Sequence, residues 1–419
     1  MPFFFIFYKG ETMLFEQTIK KIKMVKLFIV LLSLALIFKV GYIQIIDRKT
    51  IYDKALESWQ RSFPVQANRG KIYDCSGNIL ATDLTTASLV VVPSQIQDKA
   101  TTAISLSKIL QVDAKSLEEK LNKKVSIQRI SPEGRQLDDE KALRIQRLNL
   151  SGVYLIKDTK RYYPLNQYLS HCLGFVGIDN QGLLGLELEY DRYLKGKNGS
   201  IDYYMDAKSH NLKMYPSHYS ASLSGMNLSL TIDKKVQDVI ERELNNAYDI
   251  YHPDGIWALA MNPQNGEILA MVNVPEFNLN DPFTLTEEFL AANAEKQPAA
   301  DTKDPEKKQE LLNQMWRNRC INDTYEPGST FKIITSSACL EAGVVKLDDT
   351  FQCPGYRMVE DRKIRCHKVG GHGTETFVQG VQNSCNPVFI DIGLRLGVDK
   401  FCEYFKQFGL LDLTGVDLP

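Results

Sequence analysis

Ser329 and Lys332 stand three residues apart in the stretch "EPGSTFKIIT", Glu326 to Thr335. Pro327-Gly328 breaks any preceding element, and the residues that follow suit a helix that Gly343 closes. A spacing of three puts the two side chains on one helical face. A serine hydroxyl is a poor nucleophile until a base removes its proton. A lysine can be that base only as the neutral amine, so burial or a nearby cation must lower its pKa. The apolar setting of "FKIIT" favours burial. A helix N-terminus beside the serine adds a positive dipole end where an oxyanion would form. The chemistry that these residues suit is acyl transfer through a serine ester.

The pair S-x-x-K is common by itself. Ser105-Leu106-Ser107-Lys108 also fits it, in a solvated helix pattern without Pro-Gly in front. A second element is therefore needed, to relay the proton and to hold an amide. Ser384 and Asn386 supply it in "QNSCNPVFIDIGLRLG". Other S-x-N copies occur at Ser76-Gly77-Asn78 and Ser209-His210-Asn211. Only the third copy follows the S-x-x-K by tens of residues and leads directly into a helix, with Pro387 in its first turn.

Eight cysteines are spread singly, with no C-x-x-C. Cys353, Cys366, His367 and His372 give C-x12-C-H-x4-H, which meets no tetrahedral spacing rule, so neither a metal nor a cofactor is expected. Cys385 sits inside the S-x-N box. One reading is a small buried hydrophobe. The other is a redox pair with Cys366, which precedes the glycine-rich "GGHG" loop; Cys353 competes for Cys366 across "CPGYRMVEDRKIRC". A Cys366–Cys385 bond would displace Ser384 or Asn386, which predicts an active reduced form, an inactive oxidised form and a thiol-disulfide reductase as partner.

Three segments must position these residues. Leu27 to Ile46 is apolar apart from Ser33, Lys39 and Gln44, and long enough to cross a bilayer. Lys20, Lys21, Lys23 and Lys26 precede it, which orients that end toward the cytoplasm. No small-x-small cleavage site follows, so residues 1–46 read as a cytoplasmic tail and a single uncleaved anchor, with the rest outside the cytoplasm. The first twelve residues are a possible overextension, with Met13 as the alternative start. Residues 47–225 read as a mixed α/β pedestal: strand-turn-strand at 67–83, a β-rich run closed by Pro93, a helical stretch over 101–124, and a short helix from Leu184 to Leu194. From 226 a strand and an amphipathic helix lead to two strands around Asn265-Gly266, a hairpin signal. Residues 291–310 are a polar excursion. With 50 basic and 51 acidic residues there is no basic excess, and no nucleic-acid partner is expected.

Together, "RGKIYDCSGNILA", "GLLGLELEYDRYLKGKNG", "NPQNGEILAMVNVPEFNLN", "YEPGSTFK" and "NSCNPVF" resemble the class B penicillin-binding proteins over almost the whole chain. The stretch "RCHKVGGHGTETFVQGVQNSCNPVFIDIGLRLG" looks closest to the stage V sporulation type, with the division type as the near alternative. The resemblance implies a transmembrane helix, an α+β pedestal or dimerisation domain over 47–225, and a serine β-lactamase-like transpeptidase domain over 226–419. It implies a D,D-transpeptidase that cross-links peptidoglycan stem peptides ending in D-Ala-D-Ala, with β-lactams as inhibitors, in spore cortex synthesis. A glycosyltransferase of the shape or elongation machinery is the implied partner. Ser329 would be the acylated nucleophile, Lys332 its base, Ser384 the relay to the leaving amine and Asn386 the holder of the substrate amide. The family's K-T-G strand is not matched, since Leu413-Thr414-Gly415 has no lysine. That strand is expected beyond Pro419, which would leave these 419 residues alone inactive. A β-lactam sensor or β-lactamase and a non-catalytic envelope scaffold are the alternatives.

Overall fold

The computed structural model describes residues 4–51, 60–125, 127–204, 218–293 and 304–419. Ser209-His210-Asn211 and residues 294–303 of the 291–310 excursion lie outside the described residues. Two compact units emerge. One comprises Met1–Val239, Met261–Ala270 and Glu276–Thr284; the other comprises Ile240–Ala260, Met271–Pro275 and Leu285–Pro419.

Helix α1 runs from Phe4 to Ile45. It is longer than the apolar run, and the lysine-rich turns from Glu16 to Lys26 that continue it toward the N-terminus hold neither glycine nor proline. Its Ile19–Ile45 stretch has 27 residues, and an 18-residue window within it has a mean hydropathy of 2.3 with none of it buried. At 1.5 Å per residue that is about 40 Å, more than the ~30 Å hydrocarbon core of a bilayer. Lys39 lies over the Tyr42 ring, its Nζ 5.4 Å from the centroid, which lets its stem lie along the helix.

The rest of the first unit is built on two long strands. β3 (Ile79–Val91) and β5 (Val153–Tyr162) pair antiparallel from Thr82↔Tyr162 to Val91↔Val153. β2 (Ile72–Tyr73) joins one end of β3 and β4 (Gln128–Arg129) the other, while β8 (Leu228–Ser229) runs parallel to β2. A separate sheet has the order β1 (Gln60–Val65), β6 (Gly199–Tyr204), β7 (His218–Ser220). Helices α2 (Lys99–Leu110), α3 (Ala114–Leu121) and α4 (Asp139–Arg147) each start on an aspartate. Asp98, Asp113 and Asp138 accept from the backbone amides of Thr101, Ser116 and Lys141, each satisfying a donor that the first turn leaves open. Their apolar faces and the inner residues of β3 form one core, with Leu89, Leu106, Leu117, Leu121 and Ile130 fully buried.

Beside that core lies a buried ionic cluster. Arg69 Nε donates to Glu187 Oε2 at 2.6 Å, and Arg161 Nε donates to Glu187 Oε1 at 2.7 Å. Arg69 Nη1 also reaches Asp191 at 2.7 Å, and Arg161 Nη1 reaches Asp83 at 3.1 Å. Arg69 belongs to the "RGKIYD" segment, and Glu187 and Asp191 to "GLELEYD". Two sequence motifs thus meet as one charge cluster. The single helix expected from Leu184 to Leu194 is two, α5 (Gly185–Glu189) and α6 (Asp191–Leu194), with the break at Tyr190.

An amphipathic helix, α7 (Lys234–Tyr251), leads to the hairpin β9 (Ile256–Met261) and β10 (Ile268–Val274). The expected hairpin is present, with a wider turn: Asn262 exchanges backbone bonds with Glu267 and Gly266, and Gly266 takes φ +79°. The second unit holds α8 (Lys332–Glu341), the antiparallel pairs β11 (Thr350–Cys353) with β14 (Gly373–Thr376) and β12 (Tyr356–Val359) with β13 (Arg362–Arg365), then α9 (Phe377–Gln382), α10 (Asn386–Leu396) and α11 (Val398–Gln407). Its core joins Ala338, Cys339, Phe351, Phe377, Val388, Ile392 and Leu396 with Cys353, Cys366 and Cys385.

Removing the shared carboxylate with Glu187→Ala leaves two guanidinium groups buried without it. A loss of about 3–5 kcal/mol is expected, because breaking a buried pair costs far more than an exposed one contributes. Denaturant unfolding of the isolated pedestal region would measure it, and a loss below about 1 kcal/mol would show the cluster to be incidental.

Candidate active site

Gly328 takes φ +59°, and a 3-10 turn over Gly328–Phe331 feeds directly into α8. In a 3-10 turn residues i and i+3 eclipse, so Ser329 and Lys332 stack on one face. Thr330 Oγ1 closes the turn by donating to Pro327 O at 2.6 Å. At the far end Gly343 takes φ +66°, its N–H bonds Leu340 O, and the Val344 N–H bonds Cys339 O. This is the glycine stop that the sequence predicts.

Ser384 is held by a different device. Helix α9 opens with a reciprocal cap between Thr376 and Gln379. It closes with Ser384 N–H on Val381 O and Cys385 N–H on Gly380 O. That bond pattern usually carries glycine at the left-handed position, but here Ser384 occupies it at φ +49°. A non-glycine residue there costs roughly 1–2 kcal/mol, and such strain concentrates at functional sites. Cys385 then caps α10, with Pro387 in its first turn as expected.

Lys332 links these elements. Its Nζ donates to Asn386 Oδ1 at 2.6 Å, to Ser384 O at 2.8 Å and to Ser384 Oγ at 3.1 Å. It also lies 5.0 Å from the Phe389 ring centroid. The Asn386 amide is fixed at its other end, where Nδ2 donates to Arg365 O at 2.9 Å. Burial lowers the Lys332 pKa from its ordinary value, and negative charge on Cys366 and Cys385 opposes that shift. An ammonium has three donors, and all three acceptors are oxygens of one box. Once a proton leaves, the amine lone pair is free for a hydroxyl, and Ser384 Oγ lies 3.1 Å away. The structure therefore brings Lys332, Ser384 and Asn386 together, with exposed Ser329 one turn ahead of Lys332. Neither Phe389 nor the Arg365 carbonyl was anticipated; a backbone acceptor leaves no sequence signal.

Behind the box, Cys353, Cys366, His372 and Cys385 converge, with their donor atoms all within 4.8 Å of one another. This set differs from the C-x12-C-H-x4-H set: Cys385 joins it, while His367 is exposed and 3.9 Å from Cys366 Sγ. All eight cysteines are free thiols in this structure. Burial raises the Cys385 pKa strongly. Burial also acts to raise Cys366, but backbone hydrogen bonds from Lys368 and Asn386 lead those that bring it below its ordinary value. Among the described residues, three thiols and an imidazole of this kind can hold a divalent transition metal.

Residues 64–230 match the penicillin-binding protein dimerisation domain, and residues 256–419 match the penicillin binding protein transpeptidase domain. The chain is a class B penicillin-binding protein. Stage V sporulation protein D of Bacillus subtilis (strain 168) is 42% identical to it over 400 residues, 95% of this chain. Peptidoglycan D,D-transpeptidase FtsI of Escherichia coli (strain K12) is 26% identical over 401 residues, 93% of this chain. This penicillin-binding protein spans 58% and 62% of the lengths of those two relatives. A penicillin-binding protein, PBP2, solved in complex with MreC from Helicobacter pylori shares the fold, with a TM-score of 0.67 and 24% identity over 86% of this chain and 67% of that one. The mixed α/β architecture with an N-terminal apolar helix is therefore that of the family.

The strain at Ser384 gives a direct test in this penicillin-binding protein. Ser384→Gly relieves the left-handed strain and keeps the Lys332 bond to the backbone carbonyl, so the melting temperature should hold or rise. Gly380→Ala places a Cβ 2.8 Å from Val388 Cγ1 and should lower it. A large loss of stability in Ser384→Gly would mean that the hydroxyl, not the backbone, holds this turn.

Proposed function

We propose that this protein is a peptidoglycan D,D-transpeptidase that works through a serine acyl-enzyme, with an anchor over 1–46, a pedestal over 47–225 and a catalytic region from 226. The observation that carries the reading is the Lys332 ammonium shared between Ser384 and Asn386, one turn after Ser329. Ser329 Oγ attacks the carbonyl between the two D-alanines of a stem peptide, and its proton passes to neutral Lys332. Ser384 Oγ relays that proton to the leaving D-alanine amine, which departs. Asn386, fixed by Arg365 O, is placed to hold the substrate amide. An amine of a neighbouring stem peptide then takes the acyl group and frees Ser329. β-Lactams acylate the same serine.

The lysines of α1 that precede Leu27 and the length of the helix support a single-pass anchor with the catalytic region outside the cytoplasm. The 42% identity to a stage V sporulation protein favours a role in spore cortex synthesis over division. A shape or elongation glycosyltransferase fits as partner; the Helicobacter pylori relative in its complex with MreC points to assembly with shape machinery. The redox pair Cys366 and Cys385 belongs to this reading, since a bond between them would pull on the residue that separates Ser384 from Asn386. A thiol-disulfide reductase would restore the reduced, active form.

Fluorescent penicillin on the detergent-solubilised protein tests the site. A covalent adduct should map to Ser329 and vanish in Ser329→Ala. Lys332→Arg stays charged at any working pH and should lose acylation by about 10²-fold or more. Normal acylation in Lys332→Arg would place the base elsewhere.

The pH profile follows from the sign of the Lys332 shift. The active base is the unprotonated amine, so acylation rises with pH and levels off above the lysine pKa. Because burial lowers that pKa, the half-maximal point should fall below the ~10.4 of an ordinary lysine. A rise that begins only above about pH 10.4 would contradict a depressed lysine base.

A further inference from the structure

The thiol cluster behind the box has the geometry of a coordination sphere. Cys353 ends β11, Cys366 follows β13, His372 precedes β14 and Cys385 separates Ser384 from Asn386. Four separate places in the chain thus supply one donor each. Cys353 Sγ and Cys366 Sγ each lie 3.6 Å from His372 Nδ1. A tetrahedron with Zn–S near 2.3 Å and Zn–N near 2.05 Å has a nitrogen-to-sulfur edge of roughly 3.6 Å and a sulfur-to-sulfur edge of roughly 3.8 Å. All four donor atoms lie within 4.8 Å of one another, so closing by at most about 1 Å meets that edge.

One observation points to positive charge at the centre, and a second shows how the loop is held there. Glu375 is buried, with 3% of its side chain exposed. Its Oε2 accepts from Asn383 Nδ2, its carboxylate also meets the Cys385 thiol, and its Oε1 faces His372 Nδ1 at 3.8 Å. A carboxylate oxygen turned into a closed space among thiols is costly unless positive charge lies nearby. Gly371 is the second. It takes φ +82°, and a Cβ on it would meet Cys353 O at 1.9 Å. The loop is thus laid against the end of β11 so closely that only glycine fits, and this brings the next residue, His372, to the sulfurs.

We propose that Cys353, Cys366, His372 and Cys385 bind one zinc-class divalent cation, and that this loading and a Cys366–Cys385 disulfide are mutually exclusive states of the same cluster. The bond chemistry requires the exclusion. Oxidation by a small disulfide takes two electrons from the metal-bound thiolates of Cys366 and Cys385 and forms one sulfur–sulfur bond between them. The reagent's disulfide breaks, takes up those two electrons with two protons from solvent, and leaves as two thiols. Cys353 and His372 then remain as two of the four ligands, too few to retain the cation. Because Cys385 stands between Ser384 and Asn386, the metal-loaded state fixes the box that receives Lys332, and the disulfide state pulls on it. The second half of the proposal rests on the redox reading above, and the first half does not.

Zinc content decides the first half without any activity measurement. Protein reduced, loaded with zinc and dialysed in detergent should hold about one zinc per chain, and Cys385→Ser or His372→Ala should cut retention by ~10-fold or more. Cobalt(II) on the wild-type protein guards against variants that merely misfold. It should give a thiolate-to-cobalt charge-transfer band and the intense visible bands of a tetrahedral site. Wild-type protein without retained zinc, or with only weak octahedral cobalt bands, overturns the metal site. For the second half, oxidised glutathione should release the zinc as the Cys366–Cys385 peptide appears in non-reducing mapping. Disulfide formation with zinc still bound overturns the exclusion. A protein that holds zinc yet takes no penicillin would sink the transpeptidase reading and leave this one standing.

Discussion

One ammonium group organises the second unit. Lys332 Nζ meets three oxygens on the turn and the first residue of a different helix, 52 and 54 positions further along the chain. For those bonds to form, α8 and the start of α10 must face each other, and the turn between α9 and α10 must point its carbonyl and hydroxyl the same way. Glycine would take the backbone angles at that turn more readily than serine. The chain holds Ser384 there at φ +49°, which makes sense where the hydroxyl is needed. The Lys332 amine is half-buried and, among the described residues, has no carboxylate partner; its burial lowers its pKa from the ordinary value, the direction that a base requires.

The turn at Ser384 also has a second side. Ser384 and Asn386 face the lysine, while Cys385 between them is fully buried in the core with Phe377, Val388 and Ile392. The two readings of Cys385, small hydrophobe and reactive thiol, are therefore compatible. It packs as a core residue, and its sulfur also lies among two other thiols and an imidazole. Any chemistry at that sulfur acts on the residues either side of it through a single peptide unit each. No long relay is needed to connect the thiol cluster with the box that receives Lys332.

Local chemistry made much of this legible in the sequence. Pro-Gly, a closing glycine and Pro387 marked the helix ends. Asn265-Gly266 marked a hairpin, and the spacing of Ser329 and Lys332 marked one face. The decoys resolve on the same terms. Ser105 Oγ bonds back to Thr101 O within α2, and Ser76 and Asn78 donate backbone amides to Asp74 in a tight turn. What the sequence could not display was convergence across distance. Cys385 enters the thiol cluster and His367 leaves it because the fold of two strand pairs decides which side chains turn inward. Glu375 carries no motif at all, and its position follows from the register of β14 against β11.

The ionic cluster of the pedestal limits how this protein can be rebuilt. Arg69 and Arg161 approach the shared Glu187 from segments separated by 118 and 26 residues, and none of the three has appreciable contact with water. A chimaera that takes the early "RGKIYD" segment from one relative and the "GLELEYD" segment from another inherits one half of a dehydrated charge arrangement from each parent. Unless both parents place their charges alike, the graft carries an unpaired ion into its own interior. Crossover points that keep residues 69–191 together avoid this, so the pedestal is exchanged whole or not at all.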